Sequence, residues 1–127
     1  MSEKFCVEVP EIPAIGPYSQ AVRAGGLLFV SGQPGIDPET GQANPEFEPQ
    51  ARQAFRNLET VLQAGGSSLA QVANTTVLVT DIANFPIVNQ LFGELFPKDP
   101  PARMTMQVPL PKGLLFSIGC VATVPNT

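Results

Sequence analysis

The chain has 127 residues, of which 43% are hydrophobic and only 14% charged, with a formal net charge of −4 and no His. That length suits one domain with a real core, and so little charge points to an ordered globule whose surface is partly covered by other subunits. Without His there is no His-dependent triad and no His-ligated metal, and four Arg and three Lys scattered along an acidic chain make no phosphate-tracking groove.

Met1-Ser2-Glu3-Lys4 lacks the apolar core of a signal peptide, and no run approaches the roughly 20 apolar residues of a membrane helix. The expectation is a soluble, cytoplasmic protein with no membrane and no nucleic-acid partner. Cys6 and Cys120 show no CxxC spacing, so neither a redox motif nor a zinc knuckle is indicated. Nothing in the residues asks for a metal or an organic cofactor.

Phe5 to Val9 reads as a first strand, ended by Pro10 and Pro13. Ala21 to Ala24 and Leu27 to Ser31 flank Gly25-Gly26, a two-residue hairpin signal. Pro34 to Pro49 reads as a long polar loop. From Pro49, apolar Ala51, Phe55, Leu58 and Leu62 follow helical spacing, with Gly65-Gly66 as the stop. Val72 to Thr80 is rich in β-branched residues, and its centre, Val77-Leu78-Val79, predicts burial on both faces. Asp81 can cap the next element. A second helix is predicted from about Phe85 to Phe96, its phenylalanines being core and not a stacking platform. Met104 to Val108 and Leu114 to Ala122 are the last two strands. The order β-β-β-α-β-α-β-β over residues 1–127 is that of a single α+β domain, one sheet with two helices packed on one side.

On the fifth strand Arg103, Thr105 and Gln107 point one way and Met104, Met106 and Val108 the other. After Arg103 only Lys112 carries a charge. A guanidinium in so apolar a region suits a carboxylate or phosphate. Taken alone, an Arg snorkelling to water at the rim is the commoner reading. Cys120 alternates with Gly119 and reads as core.

Four segments lift Arg103 above that reading: Gly16-Pro17-Tyr18-Ser19-Gln20-Ala21, Phe29-Val30-Ser31-Gly32-Gln33, the helix bearing Asn89, and Pro101-Ala102-Arg103. With them the chain resembles the RidA (YjgF) family over nearly its whole length. The resemblance implies a chorismate-mutase-like fold, assembled as a homotrimeric barrel with ligand clefts between subunits. It also implies hydrolysis of reactive enamines and imines of amino acids to 2-keto acids and ammonia. In that family the residue matching Arg103 holds the substrate carboxylate. Those matching Tyr18, Ser31 and Asn89 line or shape the cleft, Gly32 adjoins Ser31, and Thr105 shares a strand face with Arg103. Arg103 and Tyr18 are the catalytic candidates, and the others, with Gly119, are the substrate-binding ones.

The chain departs from the family on the final strand. A Glu there is credited with positioning the attacking water, and aligned from Lys112 that position falls on Gly119. A shift of one residue brings Ser117, Ile118 or Cys120 nearby, and none is a carboxylate. Glu48 and Glu94 are possible stand-ins, although nothing in their spacing places them in the cleft. Three functions remain, in order: a weak deaminase of small 2-imino acids such as 2-aminoacrylate, a non-catalytic trimer that binds small carboxylates, and, last, an endoribonuclease or translation inhibitor.

Overall fold

Gly25 and Gly26 turn the chain with φ of +59° and +79°. Two consecutive positive values make the tight turn whose twist matches antiparallel strands, and glycine adopts them without strain. The strands it joins, β2 (Ala21–Ala24) and β3 (Leu27–Pro34), pair with Ala24 opposite Leu27. The structure, a computed structural model, describes residues 3–125. Its other strands are β1 (Lys4–Val7), β4 (Val72–Val79), β5 (Ala102–Gln107) and β6 (Phe116–Thr123), and its helices are α1 (Phe47–Ala64) and α2 (Phe85–Leu95).

The order of elements is the predicted one, and the six strands form one mixed sheet, β1-β2-β3-β6-β4-β5, with β4 and β5 parallel. Boundaries differ by a few residues. The first strand stops at Val7, short of Val9, and the first helix begins at Phe47, two residues before Pro49. Asp81 does cap, but its carboxylate accepts from the Ala83 amide at 2.9 Å and caps a short 3₁₀ turn, Ile82–Asn84, that feeds α2.

Both helices lie on one side of the sheet. Leu28, Val77, Val79, Phe116 and Ile118 meet Phe55, Leu58 and Leu62 of α1 and Val88, Leu91 and Phe92 of α2, all buried. Burying each large side chain stabilises by roughly 1.5–3 kcal/mol. Phe55 centres the cluster, 5.8 Å from Phe92 and 5.6 Å from Phe116 between ring centroids. Two buried amides bind loops to α1. Gln50 donates to the Asn44 carbonyl and accepts from the Leu115 amide, and Asn57 donates to the Pro34 and Ile36 carbonyls.

The second face of the sheet is open, which corrects the expectation for Val77-Leu78-Val79. The two valines are fully buried against the helices, whereas Leu78 points to the other side and is only half-buried. On that open side Phe29 is 44% exposed, Met104 59% and Met106 38%. The alternation of β5 is as predicted from Arg103 through Gln107. Its apolar face is the bare one, and Arg103 and Thr105 turn toward the helix layer.

Candidate functional site

Arg103 sits near the start of β5, an edge strand, in register with buried Thr75 of β4. Its Nη2 donates to Oδ1 of Asn89 at 2.7 Å, and its guanidinium carbon lies over the rings of Phe85 and Phe92, 5.1 and 4.8 Å from their centroids. Phe85, Asn89 and Phe92 are at i, i+4 and i+7, one stripe of α2. Gln107, at the far end of β5, accepts from the Ile82 amide at 2.7 Å and so ties the strand to the turn that starts α2. Strand and helix are thus held together at both ends of this group.

Among the described residues no carboxylate pairs with Arg103, and the only salt bridges belong to Arg52. A guanidinium has five N–H groups in one plane, and Asn89 engages one of its nitrogens. The Thr105 hydroxyl, two residues on and on the same face, is buried and has no hydrogen-bond partner among the described residues. A buried hydroxyl left unpaired costs about 1–3 kcal/mol. Cation and hydroxyl side by side suit a small carboxylate.

The other candidates gather elsewhere. Val30 pairs with Cys120 and Gln33 with Ile118, so Ser31 and Gly32 together oppose the single residue Gly119. This is a β-bulge, a feature that re-aims side chains next to sites. The Ser31 hydroxyl donates to the Ser19 carbonyl at 2.6 Å, and the Ser31 amide donates to the Gln20 carbonyl. These bonds fasten the 16–20 segment to the bulge. Tyr18, 46% exposed, lines a cavity of about 240 Å³ together with Gly32. Gly32 also lines a depression of about 500 Å³ on the open face, with Ser31, Thr76, Ser117 and Gly119. No Asp or Glu lines that depression.

The chain therefore brings the candidates together as two groups. Arg103, Asn89 and Thr105 face the helix layer at the β5 edge. Tyr18, Ser31, Gly32 and Gly119 cluster around the bulge, with Ser31, Gly32 and Gly119 on the open face. Between β5 and β6 lie two strand spacings, roughly 10 Å across the sheet. Within one chain the two groups do not meet.

Ser117, considered in the sequence only as a neighbour of Gly119, shares its face. Its hydroxyl lies 3.0 Å from where a Cβ on Gly32 would stand. Ile118 and Cys120 point into the core, as the alternation predicts for Cys120, and burial pushes the Cys120 thiol up to about 12. Glu48 and Glu94 are both engaged by Arg52, at 3.0 and 2.9 Å, which removes them as stand-ins for a carboxylate. The hydrogen bond from Arg52, then that from Gln90, holds the Glu94 carboxyl below its ordinary pKa. The reading of the α2 phenylalanines as core alone needs correction, since Phe85 and Phe92 both contact the Arg103 cation. Arg is the residue that stacks on aromatic rings, but no local pattern specifies the register between α2 and β5. Among the described residues no group of three His, Cys, Asp or Glu is placed to hold a metal ion, and no helix is long and apolar enough to cross a membrane.

The family profile described as endoribonuclease L-PSP matches residues 9–124. The 2-iminobutanoate/2-iminopropanoate deaminase of Homo sapiens is 42% identical over 111 residues, covering 86% of this chain and 81% of that protein. Reactive Intermediate Deaminase A, chloroplastic, of Arabidopsis thaliana is 39% identical over 125 residues, 96% of this chain and 67% of that one. The crystal structure of TdcF from E. coli with bound serine superposes with a TM-score of 0.88 at 32% identity, covering 95% of this chain and 99% of that one.

Proposed function

The chain belongs to the endoribonuclease L-PSP family, that of the RidA proteins, and we propose that it hydrolyses small 2-imino acids to 2-keto acids and ammonia. The observation that carries this reading is Arg103: a guanidinium without a carboxylate partner among the described residues, fixed by Asn89 and two aromatic rings beside the unpaired Thr105 hydroxyl. It holds the substrate carboxylate. Water adds to the imine carbon as the C=N pair moves to nitrogen and takes up the water's proton. The carbinolamine then passes its hydroxyl proton to the amine, which leaves as ammonia as the carbonyl forms. An imine is already electrophilic, so orientation supplies much of the acceleration.

The open-face depression lacks a carboxylate, and general acid–base help is typically worth about 10²–10⁴-fold. The activity is accordingly weak. When serine dehydratase generates 2-aminoacrylate in the presence of the protein, pyruvate release should exceed the uncatalysed rate yet fall well below that of a Glu-bearing relative. No acceleration at all would leave the second reading, a trimer that binds small carboxylates without turnover, which the same missing carboxylate favours. Direct RNA cleavage ranks last, since a net charge of −4, the absence of His and scattered Lys and Arg all weigh against it.

The two groups of candidates belong to one cleft only if two copies meet, the β5 edge of one against the bulge of the next. The bare Phe29, Met104 and Met106 are the kind of apolar surface that subunit contacts cover. We expect a cytoplasmic homotrimer. Sedimentation at micromolar concentration should give about three times the 13.5 kDa chain mass, and a monomer would overturn the assembly.

A further inference from the structure

Phe85 opens α2 and is 36% exposed, an unusual place for a phenyl ring that has no aromatic partner among the described residues. Phe92 differs, because it is 7% exposed and packs on Phe55 and Phe96 at 5.8 and 5.1 Å. Core packing accounts for Phe92. It does not account for Phe85, whose ring instead meets the Arg103 guanidinium at 5.1 Å.

We propose that Phe85 is a positioning residue for carboxylate recognition, its ring and that of Phe92 holding the faces of the Arg103 guanidinium while Asn89 takes one of its edges. An Arg side chain on an edge strand is free to sample many rotamers, and ordering it at the moment of binding costs affinity. Aromatic contacts act on the face of the guanidinium and leave its in-plane donors uncovered. One acceptor, Asn89 Oδ1, then selects which edge stays open. The result is a fork aimed before the ligand arrives. The aim comes from α2, whose start is tied to β5 through the bond between Gln107 and the Ile82 amide.

This rests on Arg103 being the carboxylate receptor, and the test separates the two. Pyruvate is titrated into wild type, Phe85→Leu, Phe85→Tyr, Arg103→Gln and the double variant Phe85→Leu/Arg103→Gln, with the melting temperature of each measured. Phe85→Leu should weaken pyruvate roughly threefold to fivefold, the size of an exposed cation–π contact. It should raise KM for the imino acid by the same factor with kcat within about twofold, and Phe85→Tyr should restore both. In the Arg103→Gln background Phe85→Leu should change nothing further. Full affinity in Phe85→Leu, or an equal additional loss in the double variant, overturns the positioning role. Unchanged affinity in Arg103→Gln instead sinks the role of Arg103 itself.

Discussion

Arg103→Ala should weaken binding of pyruvate tenfold or more without unfolding the protein. A hydrogen bond to a charged group contributes roughly 1.5–3 kcal/mol, and a carboxylate received by a fork makes more than one. Little in the fold depends on the side chain. Asn89, its hydrogen-bond partner, is exposed and regains water, and Phe92 remains anchored by Phe55 and Phe96. Arg103→Lys should recover only part of the affinity. A lysine ammonium keeps the charge but loses the planar donors that engage Asn89 and a carboxylate together, as well as the flat surface set against Phe85 and Phe92. Calorimetry is the direct measurement. Equal affinity for pyruvate in Arg103→Ala and wild type would remove Arg103 from the site, and with it the main support for carboxylate recognition.

The elements were legible because their signals are local. Gly25-Gly26 specifies its own turn, and the apolar spacing of Phe55, Leu58 and Leu62 specifies a buried helical face. The alternation of β5 likewise put Arg103 and Thr105 together, and alternation on β6 separated Gly119 from Cys120. What the sequence could not yield was register between elements distant along the chain. Which ring of α2 would lie over Arg103 depends on how the helix seats on the sheet. The bulge at Ser31-Gly32 depends on pairing with a strand more than 80 residues later. The bare face of the sheet escapes a sequence reading for a similar reason. The composition of Val77-Leu78-Val79 is apolar throughout and does not say which face stays bare, and the chain covers only the helix side.

The same pairing decides where a carboxylate can be restored. Counting from Lys112 favours Gly119, but the backbone there is crowded. A Cβ at Gly119 would come within 3.2 Å of the Val30 carbonyl oxygen, tighter than ordinary contact, and within 3.6 Å of the Gly32 backbone. A side chain at that position requires the Val30 carbonyl to give by a few tenths of an ångström beside the bulge of β3. Ser117 already carries a side chain on the same face, half-buried and directed at Gly32 across the depression. Ser117→Glu is therefore expected to raise imine hydrolysis, by up to the 10²–10⁴-fold that general acid–base help provides. Gly119→Glu is expected to lower the melting temperature and gain little rate. Desolvating a new carboxylate costs stability in both variants, so a larger loss at 119 isolates the steric part. Steady-state rates with freshly generated 2-aminoacrylate, paired with thermal melts, distinguish the cases. A fast and stable Gly119→Glu would mean that β3 yields at its bulge and that the water sits against Gly119. If neither variant gains rate, the attacking water does not lie over the open-face depression, and the carboxylate-binding reading takes precedence over the catalytic one.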